Sequence, residues 1–252
     1  MQTIGPNAAR LPCSYRFSIL SISLASLIVF AWLVTLIGAF FLQIGDIPVI
    51  IIIFGIFIRT FLHTGLFIVT HEAIHQNLTR QRFLNDGFGY LTSFLYALLP
   101  YKILARNHRL HHRFPGTELD PDASQASIRN FLSWYFKFMK TYQSNGQGWI
   151  SLAGMGVIFC TFIYLQIPIL NLILFWIAPM VISSLQLFAF GIFLPHRHSK
   201  IGYKDHHRAR SIHLPVFWSF ITCYHFAYHW EHHQYPYLPW YLLPKAYWKG
   251  EF

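Results

Sequence analysis

The chain has 252 residues, of which 54% are hydrophobic and only 11% are charged, and its formal net charge is +10. This composition is typical of an integral membrane protein and excludes a separate soluble domain. The excess of basic residues suits membrane topology and anionic lipid headgroups, so a nucleic-acid partner is not expected.

Four apolar segments are predicted to cross the membrane. A bilayer core of about 30 Å requires roughly 20 residues of α-helix. The longest apolar stretch, residues 149–194, carries no charge and is long enough to cross twice, so it must fold back at Gln166-Ile167-Pro168. We predict an all-α integral membrane protein with a single domain, residues 1–252. The expected spans are residues 17–42, 47–70, 149–166 and 169–194.

The distribution of basic residues predicts the orientation in the membrane. Of 19 Lys and Arg residues, 18 lie on one side of the spans, and only Arg59 lies within a span. By the positive-inside rule this side faces the cytoplasm. Every histidine except His63 lies on the same side, in a helical cap formed by residues 71–148 and 195–252. Both termini are therefore expected in the cytoplasm, and the cysteines are expected to be free thiols.

Histidines gather in three clusters beside these spans. Residues three or four apart on a helix share a face, so each cluster points its imidazoles in one direction. Neutral imidazole is the commonest side-chain metal ligand, and eight of them are too many for one tetrahedral zinc. Two metals would leave room for O2 or water, which favours iron and oxidative chemistry on a membrane lipid. The clusters are His71-x-x-x-His75, His108-x-x-His111-His112 and His229-x-x-His232-His233, and Pro195-His196-Arg197 lies between the last two.

Other histidines have weaker claims to a metal. His225 lies four residues before His229 and is either a further ligand or a residue that orients one. Arg59 and His63 lie in the second span on the same helical stripe as His71. A charge at mid-span must face protein or water, so Arg59 either lines a substrate cavity with His63 or bonds to backbone carbonyls between helices. The histidines expected to be solvated are His198, His206, His207 and His213.

Three further segments are expected at the membrane surface. Residues 88–101 are uncharged but too short to span a bilayer. Residues 128–140 mix aromatic and basic side chains, a composition that suits the headgroup layer. The tail, residues 235–248, is rich in Pro, Tyr and Trp, and it either covers the metal site or joins the aromatic belt.

The residues around the histidines resemble a known family. The clusters are similar to those of the membrane fatty-acid desaturase and hydroxylase superfamily, and three longer motifs resemble the β-carotene ketolases of bacteria and cyanobacteria. The chain departs from that pattern at Glu72, where the family usually has aspartate. The resemblance covers roughly residues 55–245. Its motifs are residues 108–122, residues 193–197 followed by 206–211, and residues 223–236 followed by Pro239-Trp240 and Leu243-Pro244.

This resemblance implies a centre of two iron ions (Fe²⁺) that uses O2. Asp120, Asp122 and Glu231 would be acids that support the ligands. The implied reaction hydroxylates the ring C4 methylene of β-carotene twice, and the gem-diol then loses water to leave a ketone. The products would be echinenone and canthaxanthin. The implied iron ligands are His71, His75, His108, His111, His112, His196, His229, His232 and His233.

An external electron donor such as ferredoxin is also implied, because the sequence has no G-x-G-x-x-G motif for NAD or flavin. A group of basic residues either docks an acidic carrier or contacts lipid headgroups. The expected location is a bacterial inner membrane or a thylakoid membrane. The basic residues are Arg106, Arg109, Arg113, Lys200, Lys204, Arg208 and Arg210.

Two kinds of alternative remain open. A carotenoid ring hydroxylase or an acyl-lipid desaturase would have the same metal core, although the residues around the second cluster argue against both. A metal transporter, or a scaffold that binds metal or carotenoid without turnover, would be the alternative outside enzymes. A transporter should carry ligands along a path through the bilayer, whereas only His63 lies within a predicted span.

Overall fold

The computed structural model describes residues 15–123, 130–142, 146–197, 203 and 205–250, and these ranges contain helices but no strand. Two 3₁₀ turns, Ile44–Asp46 and Trp240–Leu242, join neighbouring helices. The helices are α1 (Tyr15–Phe40), α2 (Val49–His75), α3 (Arg82–Ala97), α4 (Tyr101–Arg113), α5 (Phe131–Tyr142), α6 (Gln147–Tyr164), α7 (Ile169–His196), α8 (Val216–Cys223), α9 (His229–Gln234) and α10 (Leu243–Lys249). Two π-helical stretches, Ile173–Ile177 and Ala189–Phe193, lie within α7.

Helices α1, α2, α6 and α7 are long and apolar enough to cross a membrane, which agrees with the predicted number of spans. Helix α6 ends at Tyr164 and α7 begins at Ile169. Between them Gln166 has a left-handed backbone (φ 62°), so the chain reverses where the sequence predicts a break. The second and fourth spans are longer than predicted, because α2 continues through His71 to His75 and α7 continues to His196. Those histidines therefore lie on the last turns of spans rather than beyond them.

Helix α2 is central and packs against α1, α3 and α7. One end of this bundle is closed by Asn171 at the start of α7. Its amide donates to the carbonyl of Ala39 in the last turn of α1 (2.8 Å) and to the carbonyl of Leu42 just after that helix (2.9 Å). These bonds satisfy carbonyls that a helix end leaves without partners. The histidine clusters lie at the opposite end of α2 and α7.

Arg59 lies inside this bundle and bonds to the backbone of neighbouring helices. Its Nε donates to the carbonyl of Phe175 (2.9 Å), and its Nη1 donates to the carbonyl of Trp32 (2.7 Å) and to Thr35 Oγ1 (2.9 Å). The Trp32 indole N–H donates to Nδ1 of His63, which is fully buried (3.1 Å). These contacts match the second interpretation of Arg59, in which backbone carbonyls between helices hold the cation. Arg59 thereby links α1, α2 and α7.

Gly65 is the more tightly packed of the two glycines in α2, and we expect Gly65→Ala to destabilise the fold. A Cβ there would lie 2.5 Å from the Tyr224 hydroxyl oxygen and 2.9 Å from a methyl carbon of Ile28. Tyr224 has little freedom to move, because its ring stacks on Phe61 at 4.4 Å and its hydroxyl donates to the Phe61 carbonyl. Overpacking of this kind costs about 1–3 kcal/mol. Thermal unfolding in detergent measures the loss.

Gly38→Ala in α1 is the matched control for this substitution. A Cβ at Gly38 would meet nothing within 4 Å. Replacing a helical glycine by alanine should then leave stability unchanged or raise it by up to about 1 kcal/mol. Equal unfolding temperatures for the two variants would contradict the close approach at Gly65.

The predicted surface segment 88–101 is divided between two helices. Helix α3 ends at Ala97, Leu98 adopts a left-handed backbone (φ 54°), and α4 begins at Tyr101. The Asn85 amide of α3 donates to the carbonyl of Ala73 (2.8 Å) and so holds α3 against the last turns of α2. The chain therefore turns over the end of α2 and directs α4, with its histidines, towards His71 and His75.

Segment 128–140 is described from residue 130, where it leads into α5. The tail packs against α8 and the turn after α2. Trp240 stacks on Phe220 (5.8 Å between centroids), and the Asn77 amide donates to the carbonyl of Pro236. Cys160 is exposed and Cys223 is buried, and both are free, as predicted for these two. Cys13 lies outside the described residues.

Candidate metal centre

The nine histidines predicted as ligands converge from four helices. Spacings of three and four residues place the members of each cluster on one side of their helix, and the ends of the four helices meet. The last turns of α2 carry two of the histidines, α4 carries three, the end of α7 carries one and α9 carries three. In that order they are His71 and His75; His108, His111 and His112; His196; and His229, His232 and His233.

Eight of these residues form two groups of four. Within each group, one ring nitrogen from every histidine lies within 4.8 Å of the others. We call them site A and site B. Site A consists of His71, His75, His108 and His232, and site B consists of His111, His196, His229 and His233.

The Nε2 atoms of site A face one another. His75 Nε2 lies 2.8 Å from His108 Nε2, and His71 Nε2 lies 3.1 Å from His232 Nε2. The ninth histidine, His112, lies between the two sites. Its Nε2 is 2.9 Å from His232 Nε2, while its ring stacks on that of His233 in site B with 4.2 Å between centroids. Site A therefore has five imidazoles within reach and site B has four.

Two ligand orientations in site B are set by hydrogen bonds on the far side of the ring. Nδ1 of His111 lies 3.0 Å from Asp120 Oδ1, and Nδ1 of His196 lies 2.9 Å from the carbonyl of Arg208. Because a carbonyl only accepts, His196 must carry its proton on Nδ1; a carboxylate partner favours the same tautomer for His111. The Nε2 lone pairs of both residues then point into site B, where His229 Nε2 lies 2.9 Å from His196 Nε2.

A bound metal ion suits this arrangement better than hydrogen bonds between the rings do. His229 Nε2 contacts two other Nε2 atoms, those of His196 and His233, yet it has room for one proton at most. His111 Nε2 is buried and has no hydrogen-bond partner among the described residues. Four or five converging imidazole nitrogens are a donor set that iron, copper, zinc and nickel accept. The residues present therefore fit a metal ion at each site.

Burial keeps five of the six imidazoles of α4 and α9 in the form that binds metal, and His111 is the exception because its contacts with Asp120 and Asp122 outweigh burial and raise its pKa. Desolvation lowers the pKa of five of them well below 6.5, and neighbouring histidines lower each pKa further. Metal ions bind neutral imidazole, so the protein favours the ligating form before any metal arrives. The five are His108, His112, His229, His232 and His233.

Two of the three predicted acids lie directly behind His111. Asp120 accepts hydrogen bonds from the backbone N–H groups of Gly116 (2.7 Å) and Asp122 (2.9 Å) in addition to its contact with His111. Burial raises the pKa of Asp120, but these hydrogen bonds outweigh it and lower that pKa overall. Burial and the charge of Asp120 raise the pKa of Asp122 to about 6. Asp120 is thus the more readily ionised acid of the pair, and it is placed to hold the Nδ1 proton of His111.

The other acids have different surroundings. Glu231 accepts a hydrogen bond from the Ser211 hydroxyl, which itself accepts one from the Trp230 N–H (3.1 Å). Glu231 thereby ties α9 to the chain that precedes α8. Glu72 is buried with Oε1 3.6 Å from His71 Nδ1, a separation longer than a hydrogen bond. Site A thus lacks the close carboxylate contact that site B receives from Asp120.

We expect Asp120→Asn to weaken metal binding at site B by roughly 10- to 100-fold, the usual effect of removing a partner that orients a ligand. The Asp120 carboxylate now accepts from three N–H donors, those of His111, Gly116 and Asp122. An asparagine amide would point its own N–H group at one of these donors, and that hydrogen bond would be lost. Titration with a metal-sensitive chelator measures the change. Asp86→Asn is the matched control, since Asp86 accepts hydrogen bonds from the Asn85 amide and the Tyr101 hydroxyl and lies on α3, which carries none of the nine histidines. Identical chelation curves would exclude this role of Asp120.

The remaining histidines lie outside both sites. His225 Nδ1 faces the Ser219 hydroxyl (3.3 Å), and its ring lies between Tyr228 and Trp240, so the structure does not place it among the ligands. His206 and His213 are exposed, as predicted, and His198 lies outside the described residues. His206, His207 and Asp205 also approach one another within 4.8 Å. The Asp205 carboxylate there already accepts from the Trp230 indole N–H (2.6 Å) and the His207 N–H (2.9 Å).

Sequence reasoning missed the residues of α5 that reach this centre. The Tyr142 hydroxyl donates to Asp122 Oδ1 (2.7 Å), and the Trp134 indole N–H donates to the Asp122 carbonyl (2.9 Å). The only sequence signal was the aromatic content of this segment, which indicated a membrane surface rather than contact with an acid. Helix α5 contains eight apolar or aromatic residues, and the sequence does not show which of them face the acids until the position of the helix is known.

Comparisons with known proteins agree with this arrangement. The family model for fatty acid desaturases matches residues 47–151 and 140–251. The β-carotene ketolase of Paracoccus sp. (strain PC1) is 34% identical over 246 residues, which cover 95% of this chain and 97% of that protein. The β-carotene ketolase of Paracoccus sp. (strain N81106 / MBIC 01143) is 36% identical, over 76% of this chain and 77% of that protein.

An algal relative is longer. The zeaxanthin 4-ketolase of Chlamydomonas reinhardtii is 38% identical over 74% of this chain, and the match spans 42% of that protein. The family model covers all nine histidines of the two sites, and the relative from Paracoccus sp. (strain PC1) extends the match to 95% of the chain. The chain belongs to the fatty acid desaturase family, and the relatives that match it over most of its length include the carotenoid ketolases.

Proposed function

We propose that this protein is an O2-dependent di-iron oxygenase that converts the ring C4 methylene of β-carotene to a ketone. The observation that carries the proposal is the pairing of two convergent histidine sites with a β-carotene ketolase relative that matches 95% of the chain. Each hydroxylation takes one O2, two electrons and two protons, inserts one oxygen atom into a C–H bond and releases one water. A second hydroxylation at the same carbon gives a gem-diol, which loses water to leave the ketone.

The metal-ligand roles follow from the geometry of the two sites. We assign one iron ion to site A with His112 as its fifth imidazole, and the other to site B. Bound iron supplies the O2 activation that oxidation of a C–H bond requires. Burial holds five of the imidazoles on α4 and α9 neutral, and Asp120 orients His111 through its Nδ1 proton. The aromatic ring of Phe226, 4.8 Å from that of His71, gives the centre an apolar wall suited to a hydrocarbon.

The substrate and the electrons reach the centre from different directions in this proposal. The ligands at the ends of α2 and α7 lie where two spans leave the bilayer, so a carotenoid ring reaches them without leaving the apolar phase. Arg106, Arg109 and Arg113 are exposed on α4, the helix that carries three ligands. We propose that this surface docks an acidic electron carrier such as ferredoxin. Arg208 is distant in the chain but reaches the loop after α4, where its guanidinium donates to the carbonyl of Gly116 (2.8 Å). Arg210 donates to the carbonyl of Leu194 (3.0 Å), and Lys200 and Lys204 lie outside the described residues.

The same basic surface supports the proposed topology. The positive-inside rule places it, the histidines and both termini in the cytoplasm. The membrane would be a bacterial inner membrane or a thylakoid membrane, because both present an electron carrier and carotenoids to one enzyme.

Expression in cells that accumulate β-carotene tests the function. Pigments are separated by chromatography and identified by mass spectrometry. A product in which one oxygen replaces two hydrogens on each modified ring, with a ketone-type red shift, supports the proposal. Hydroxylated carotenoid alone would identify a ring hydroxylase, and new double bonds in acyl lipids would identify a desaturase. If the protein binds iron but consumes no O2 when reductant is supplied, the result would support the alternative of a metal-binding scaffold without turnover.

A further inference from the structure

We propose that Tyr142 is a positioning residue for His111, and that it acts through Asp122 and Asp120 to set the geometry of site B. The inference rests on the proposed function only in taking His111 as a metal ligand. It concerns a side chain on α5, a helix that contributes no histidine to the centre.

A continuous chain of polar contacts runs from Tyr142 to His111. The Tyr142 hydroxyl donates to Asp122 Oδ1 at 2.7 Å, and the other carboxylate oxygen of Asp122 lies 3.7 Å from His111 Nδ1. The Asp122 N–H donates to Asp120 Oδ1 at 2.9 Å, and the same Asp120 oxygen lies 3.0 Å from His111 Nδ1. Asp120 and Asp122 are 6% and 3% exposed, so water has little access to replace a lost contact.

Helix α5 donates three hydrogen bonds to the loop that carries these two acids. Besides the Tyr142 contact, the Trp134 indole N–H donates to the carbonyl of Asp122, and the Lys137 ammonium donates to the carbonyl of Ala123, both at 2.9 Å. Two of these bonds hold the backbone of the loop. Tyr142 holds the Asp122 carboxylate and is therefore the contact that determines where the side chain points.

Helix α5 also packs against α7, and this second contact explains why the Tyr142 hydrogen bond affects site B in particular. Phe131 and Tyr135 pack against Phe188 of α7, with ring centroids 5.2 and 5.3 Å apart. Helix α7 also ends at His196, whose ring centroid lies 4.7 Å from that of His111. His196 is thus held by α7 directly, and His111 is held to α7 through α5 and the acid pair. The Tyr142 hydrogen bond completes the connection through α5, and it therefore sets the position of His111 relative to His196.

A hydrogen bond from a phenol to a buried carboxylate is charge-assisted and roughly twice as strong as a neutral one. Without it, Asp122 Oδ1 would lose the hydroxyl that now faces it. The carboxylate would then turn towards other donors, and the nearest is His111 Nδ1, where it would compete with Asp120. The imidazole of His111 would tilt away from site B.

Metal retention by the purified full-length protein tests this inference, with Tyr142→Phe compared with Tyr135→Phe. The control makes the same substitution on the same helix and also removes one hydroxyl hydrogen bond, the contact of Tyr135 with Ser184 Oγ (2.8 Å). Protein loaded with Fe²⁺ is titrated with a chelator, and bound iron per chain is counted by mass spectrometry. We expect wild type and Tyr135→Phe to release both metals at similar chelator concentrations, and Tyr142→Phe to release one of them at a roughly 10- to 100-fold lower concentration.

Equal release curves for the two variants would overturn the role of Tyr142 while leaving the proposed function intact. A wild-type protein that binds no iron would instead contradict the proposed function itself. If Tyr142→Phe does not fold, Asp122→Asn carries the same test. Its amide keeps an acceptor for Tyr142 but directs an N–H group at His111 Nδ1, so we expect early release of one metal. Retention of both metals by Asp122→Asn would overturn the inference. The absorption spectrum of the Co²⁺-loaded variants gives a second readout, because a tilted ligand alters the band positions of one site.

Discussion

Replacing His229 by alanine is expected to abolish carotenoid oxidation and to release the metal of site B. His229 Nε2 is the nitrogen that contacts both His196 (2.9 Å) and His233 (3.1 Å), so its loss opens the middle of the site. Removing a group that only supports a ligand costs roughly 10- to 100-fold in metal affinity or activity, and removing the ligand itself should cost more. Pigment analysis in β-carotene-accumulating cells and iron counts on the purified protein measure the two effects.

His213→Ala is the control for this variant. His213 is exposed and belongs to neither site. We expect its pigment profile and its iron content to equal those of wild type. An active His229→Ala protein that retains two iron ions would show that site B is not a metal site.

The metal-free protein is expected to lose stability steeply as the pH falls below 6.5. Five buried histidines, those of α4 and α9 named above, have their pKa lowered below that value in the folded protein. At pH above 6.5 these imidazoles are neutral in both states. Below it the unfolded chain binds protons that the folded protein excludes, so their contribution to stability is lost with falling pH.

The size of this effect follows from the number of protons. Each group changes the free energy of unfolding by up to about 1.4 kcal/mol per pH unit. Asp122 and His111 act in the opposite direction. The raised pKa of Asp122, about 6, makes the folded protein take up one proton first, and the contacts of His111 with Asp120 and Asp122 outweigh burial and raise its pKa. Because the five groups with a lowered pKa outnumber these two, stability still falls as the pH falls, by about a few kcal/mol per pH unit. Such a slope is large compared with a total stability of about 5–15 kcal/mol.

Thermal unfolding of chelator-treated protein between pH 7.5 and 5.5 measures this slope. Iron-loaded protein is the comparison, and its transition should stay constant to lower pH, because bound metal must leave before its ligands can take up protons. An unfolding temperature that does not change over this range would show that the imidazoles are not held neutral by burial.

The spans and the ligand clusters could be predicted because each depends on neighbours along the chain. Hydrophobic length determines whether a helix can cross a bilayer, and Gln166-Ile167-Pro168 interrupts a stretch too long for one span. The spacing of His108, His111 and His112 places them on one helix face whatever surrounds the helix. The prediction fell short at the ends of two spans, because α2 continues five residues beyond residue 70 and α7 two residues beyond residue 194.

The partners of single polar residues could not be predicted, because they come from distant parts of the chain. Arg59 had two interpretations, and the choice depended on the carbonyls of Trp32 and Phe175, which lie on other helices. His225 has the spacing of a ligand relative to His229, but its backbone has a left-handed conformation (φ 66°), so the helical relation between the two residues is broken. Helical spacing applies only within a continuous helix.

The sequence by itself predicted four helices long enough to cross a membrane and a histidine-rich centre, because hydrophobicity and helical periodicity are local properties. The motifs around the histidines carried the resemblance to the desaturase family. The tertiary structure decided how the nine histidines divide between sites A and B, since each site draws on helices that are far apart in the chain. It also decided that His112 lies between the sites and that α5 holds the acids behind His111. Those relations depend on the angles and distances between packed helices, which side-chain volumes and buried hydrogen bonds determine together.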